Sequence, residues 1–179
     1  MEKINLNDLR DRVYKIACNH GWHEKEYDVN HYIMLVITEL AEAINADRIN
    51  KRSNRFEFNL TNEPHCFIQS FETYIKDTVE DELADAVIRI LDIFGTFGAY
   101  VPDFTKSIHP ENDDLSEFPL LTQQVYLVIL AIVSRSNLIW GLKAIYNIAK
   151  HNDIDLLWHI EQKIKYNEMR PYKYGGKKY

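Results

Sequence analysis

Between Tyr32 and Ala46 only Thr38, Glu39, Glu42 and Asn45 are strongly polar, and the apolar residues recur at helical spacing. Ile33, Val36, Ile37, Leu40 and Ile44 mark one face, while Leu35, Glu39, Glu42 and Ala46 share the opposite one. A helix apolar nearly all round is normally buried on several sides. Glu39 and Glu42 are therefore not expected to be ordinary surface charges. Asp28 is the natural cap for this helix, which is predicted to run from about Val29 to Ile49.

The same periodicity predicts a first helix capped by Asn5 or Asn7 and ending near Asn19, with Gly21 just beyond. Leu9, Val13, Ile16 and Ala17 form its stripe, and Trp22 to Tyr27 make a short polar link. A basic connection follows the second helix, carrying Arg48, Lys51, Arg52 and Arg55 and then Asn59, Thr61 and Asn62. A third helix is predicted to run unbroken from Pro64 or His65 to Phe94, with Leu83, Val87, Ile90 and Phe94 inside and Gly95 and Gly98 closing it. Residues 101–117 read as an acidic loop. A fourth helical region spans about Pro119 to Lys150 with a break near Ser134 to Asn137, and a fifth runs from Asp153 to Met169 before Pro171. With six glycines and five prolines in 179 residues and no sustained period-two alternation, the expectation is all-α, one domain over residues 1–179.

The net charge of −6 argues against a general nucleic-acid binder. Cys18 and Cys66 lack any CxxC context and read as reduced thiols. Glu2, Lys3 and Asn5 interrupt any apolar start, and the apolar run Val125 to Val133 is too short to span a bilayer. A cytoplasmic protein without a membrane partner is expected. The histidines show no ligand spacing and read as surface or satisfied residues, and no Walker-type glycine loop is present.

One pattern carries chemistry. Glu39-Leu40-Ala41-Glu42 and Glu82-Leu83-Ala84-Asp85 each put two carboxylates one turn apart on a helix face. Two such helices facing each other gather four anions, which repel and desolvate one another unless hard cations neutralise them. Oxygen-only ligands suit Mg²⁺ or Mn²⁺. A di-iron bundle would want a Glu-x-x-His on each of two helices, and neither motif has the histidine. Arg89 and Asp92 continue the stripe of Glu82 and Asp85. Arg89 is read as a brace pairing with Asp85 or Asp92, and Asp92 as a salt-bridged surface acid rather than an extra ligand.

The paired motif resembles the ExxE…ExxD signature of the all-α nucleoside triphosphate pyrophosphatases, the superfamily of MazG-like proteins and dimeric dUTPases. Trp22, Arg48, the stretch Lys163 to Arg170 and the Gly175-Gly176-Lys177 tail are similar to MazG-like members. The likeness covers residues 20–50, 76–95 and 163–178. Forty residues separate Glu42 from Glu82, which implies an insertion around residues 50–75, and residues 101–150 match no motif.

The resemblance implies a four-helix-bundle-like core with extra C-terminal helices. It also implies hydrolysis of a (deoxy)nucleoside triphosphate to the monophosphate and pyrophosphate, serving to sanitise the nucleotide pool. Glu39, Glu42, Glu82 and Asp85 would hold Mg²⁺, with Mn²⁺ as a substitute, and either Glu39 or Glu42 would activate water. Lys163, Asn167 and Arg170 would clamp phosphates, the alternative being an exposed basic tail. Trp22 would stack on a base or cap the core. A homodimer or homotetramer is expected. The rival reading is a catalytically silent helical oligomer in which the four acids are solvated or salt-bridged.

Overall fold

The computed structural model describes residues 5–61, 63, 65–103, 117–135, 137–176 and 178. Asn62, Pro64, Lys177, His109 and most of the expected acidic loop lie outside the described residues. Among the described residues the elements are helices, with no strand, so the chain is all-α. In order they are α1 (Leu6–Asn19), α2 (Val29–Arg48), α3 (Arg55–Thr61), α4 (Phe67–Tyr74), α5 (Val79–Thr96), α6 (Leu121–Arg135), α7 (Leu138–His151) and α8 (Leu156–Glu168). A tight turn at Lys173–Gly176 follows. None of these helices is long and apolar enough to cross a membrane.

The caps are local and follow the sequence. Asn5 accepts from the Asn7 amide, and Asp28 accepts from the amides of Asn30 and His31. Past the end of α1, Gly21 has a left-handed φ of 81°, and the Trp22 amide donates to the Ala17 carbonyl at 3.0 Å. This is a Schellman closure, and it fixes the entry direction of Trp22. A Cβ at Gly21 would also lie 2.5 Å from the Tyr172 ring.

Helix α5 is the hub, packing against α1, α2, α7 and α8. Thirteen of its 18 residues are buried, acids included, so it has no solvated face of the usual width. Val36, Leu40, Leu83, Val87, Ile90 and Ile160 lie at the centre of the main core. A second cluster of Phe58, Phe67, Phe71, Ile75 and Tyr166 seats α3 and α4 on α8.

The unbroken helix expected from residue 64 or 65 to Phe94 does not form. The chain turns at Ile75–Thr78, where Asp77 takes a left-handed φ of 59°. The Thr78 side chain accepts from the Asp81 amide at 3.3 Å, and the Asp81 carboxylate accepts from the Asp77 amide at 2.9 Å. This reciprocal capping starts α5 afresh and stops α4. The T-x-x-D string was its sequence signal. The basic connection is also partly helical, because Asn54 caps α3 through the Glu57 amide at 3.1 Å and Phe58 has a core to enter. Gly95 lies inside α5 rather than closing it, and a Cβ there would meet Tyr14 of α1 at 2.5 Å. The break between α6 and α7 falls where expected, with Asn137 capping α7 through the Trp140 amide.

Candidate metal centre

Helices α1, α2, α5 and α8 surround a cavity of about 230 Å³. Val13, Ile16 and Ala17 line it from α1; Leu35, Thr38, Glu39 and Glu42 from α2; Glu82, Asp85, Ile88, Arg89 and Asp92 from α5; Lys163, Ile164 and Asn167 from α8. Trp22, Arg170 and Tyr174 close the side where the terminal turn crosses the α1–α2 link. All eight residues singled out from the sequence (Trp22, Glu39, Glu42, Glu82, Asp85, Lys163, Asn167 and Arg170) thus face one space.

One oxygen from each of Glu39, Glu42 and Glu82 lies within 4.8 Å of the others. Asp77, Asp81 and Glu82 form a second such trio, sharing Glu82. Asp85 falls in neither trio; its Oδ2 is 2.7 Å from the Lys163 ammonium. Lys163 also donates to Asp81 Oδ2 at 2.8 Å and is only 4% exposed. Burial alone would favour its neutral amine, but the field and hydrogen bonds of Asp85 and Asp81 raise its pKa above the usual lysine range.

The acids respond to the same setting. Burial, then repulsion from Asp85, pushes Glu82 up to about 9. Burial and Asp85 likewise push Glu39 up to about 7, against the pull of Arg89. Both shifts favour the protonated carboxyl because several anions share a partly buried space, which is the condition a hard divalent cation relieves. Asn167 Oδ1 and Asp81 Oδ1 are buried without a hydrogen-bond partner. An all-oxygen donor set with unspent acceptors fits Mg²⁺ or Mn²⁺.

Several supporting contacts differ from expectation. Arg89 donates to Glu39 Oε1 at 2.9 Å rather than pairing with Asp85 or Asp92. Asp92 is buried, with its Oδ1 2.9 Å from His23 Nε2, and is no surface acid. Helix α5 is packed on the side where Asp92 projects, so the carboxylate meets the α1–α2 link instead of water. His159 is 2% exposed, and burial pushes its pKa down to about 4. Lys163 and Asn167 sit in the wall of the cavity and not in an exposed tail. Arg170 lies over the Tyr174 ring at 3.6 Å, and Tyr174 meets Trp22 edge-on at 5.1 Å. Lys173 and Tyr172 both bind Glu24, tying the terminal turn to the link that carries Trp22.

Asp81 was missed by sequence reasoning, and Tyr174 is legible there only as one of the tyrosines crowding a basic tail that could bind a nucleotide or a partner subunit. Asp81 stood in plain view at the third position of the capping box, where a buried acid needs a partner. Nothing local puts Tyr174 in the cavity wall, since only the turn of the tail places it there. No protein-family model, curated protein or solved structure matches this chain.

Proposed function

We propose that this protein is a divalent-metal-dependent nucleoside triphosphate pyrophosphohydrolase, built on a four-helix core of the MazG-like type. The observation that carries the reading is the approach of Glu39, Glu42 and Glu82 to within 4.8 Å, beside Asp85 and facing the cations Lys163 and Arg170. Acids for a metal and bases for phosphates in one cavity are what a triphosphate requires.

Glu39, Glu42, Glu82 and Asp85 would hold the ion, which would supply charge neutralisation for the triphosphate and Lewis acidity toward water. Arg170 and Lys163 bind phosphate oxygens, and Lys163 does so by leaving Asp85. Arg89 fixes the Glu39 carboxylate through its 2.9 Å bond. One of Glu39 and Glu42 takes the proton of the attacking water. Water oxygen bonds the α-phosphorus, the bond from that phosphorus to the bridging oxygen breaks, and pyrophosphate leaves with the electron pair. Self-association as a homodimer or homotetramer belongs to the same proposal and is read by light scattering.

The test is pyrophosphate release from each common NTP and dNTP, with Mg²⁺ or with chelator, for the native chain and for Glu39→Gln and Glu82→Gln. Release that needs Mg²⁺ and is lost in both variants is expected, with a melting temperature that rises with Mg²⁺. Release surviving both substitutions overturns the assignment of the acids. No release from any nucleotide, with no thermal response to Mg²⁺, rejects the function and favours the silent oligomer.

A further inference from the structure

Along α5, Glu82, Asp85, Arg89 and Asp92 fall on one stripe and all line the cavity. Ten residues of helix place Asp92 about 15 Å from Glu82. The surroundings change over that length. Near Glu82 are carboxylates and Lys163; near Asp92 are Trp22, His23, Tyr32 and Leu35.

Here a side pocket of about 20 Å³ opens, sharing Trp22, Leu35, Arg89 and Asp92 with the main cavity. That volume holds one water-sized group. His23 engages Asp92 Oδ1 at 2.9 Å, and no other hydrogen bond among the described residues reaches the Asp92 carboxylate. The second oxygen is left as an acceptor on a residue that lines both cavities. The imidazole faces the Tyr14 ring with centroids 4.8 Å apart, so the carboxylate has little freedom to turn.

A fixed anionic acceptor, beside a space for one small group and flanked by aromatic rings, selects a donor on a flat ring. We infer that Asp92 accepts the exocyclic amino group of a nucleobase, so the cavity takes amino-bearing triphosphates in preference to their oxo counterparts. This rests on the pyrophosphohydrolase reading and adds the substrate class to it. An oxo group in the same place would set two acceptors against each other, leaving the carboxylate desolvated and unpaired.

The experiment compares pairs that keep ring size and exchange amino for oxo on the pyrimidine or purine edge: dCTP with dUTP, and dATP with dITP. Values of kcat/KM are measured with Mg²⁺ for the native chain and for Asp92→Asn, whose amide can donate to an oxo group. The native chain is expected to favour the amino member of each pair by roughly tenfold or more, as a good base contact does. Asp92→Asn is expected to lower that ratio by a similar factor. A merely structural tie between Asp92 and His23 would slow all substrates alike and leave the ratio in place, which would overturn the inference. Equal kcat/KM within both native pairs would overturn it without need of any variant. Absence of pyrophosphate from every nucleotide would instead strike the parent reading. Calorimetric binding of dCMP and dUMP gives a readout without turnover, and equal affinities there also count against the inference.

Discussion

The buried ammonium of Lys163 makes the sharpest energetic prediction. Its contacts at 2.8 Å to Asp81 and 2.7 Å to Asp85 each carry a Coulomb attraction of about 6 kcal/mol at an effective dielectric near 20. Desolvation of the three groups offsets much of this, so the pairs add little net stability as they stand. Removing the lysine is different, because both carboxylates then stay in the interior with no cation to answer them. Lys163→Met keeps the stem and deletes the charge, and is expected to cost about 3–5 kcal/mol. Asp81→Asn keeps the acceptor for the Asp77 amide and leaves Asp85 to answer the ammonium, so it is expected to cost less, about 1–3 kcal/mol. Against a total of about 5–15 kcal/mol, both single variants fold but with plainly lowered stability. The double variant is expected to lose about 2 kcal/mol less than the two singles together, since Asp81 is then no longer a charge for the lost ammonium to strand, while Asp85 is left unanswered in Lys163→Met and the double variant alike. Urea denaturation followed by circular dichroism at neutral pH measures all four proteins. Losses that add to within about 0.5 kcal/mol would show no coupling and refute the argument.

Two further predictions rest on other parts of the fold. His159 has a folded pKa pushed down to about 4 by burial, below its unfolded value of about 6.5, so the unfolded chain binds the extra proton first. Stability present above pH 6.5 should therefore fall by about 3 kcal/mol as the pH drops toward 4. His159→Leu should flatten that part of the denaturation profile, and an unchanged slope would remove His159 as its source. Thr78→Ala deletes the cap of α5 and the hydroxyl that donates to the Ile75 carbonyl at 2.7 Å. A loss of about 1–2 kcal/mol is expected from denaturant midpoints, and a loss indistinguishable from zero would show that the break before α5 does not depend on this cap.

What the sequence determined by itself was local. The caps at Asn5 and Asp28, the helical class, the break before α7 and the two acidic turns depend on residues within one or two turns of each other, where spacing fixes geometry. That Glu39 and Glu42 were no ordinary surface charges was also legible, because the helix around them had too few polar positions to face water. Tertiary structure decided the rest. Lys163 meets Asp81 across 82 residues, Arg89 meets Glu39 across 50, and His23 meets Asp92 across 69. No local pattern selects among several acids on one stripe; the choice follows from which helix packs against which side of α5. The same holds for the turn before α5, where the weak preference of residues 75–78 for continuing a helix loses to capping and to the burial of Phe71 and Ile75. Side-chain pairing in a packed interior is settled by distance and desolvation, and those belong to the fold.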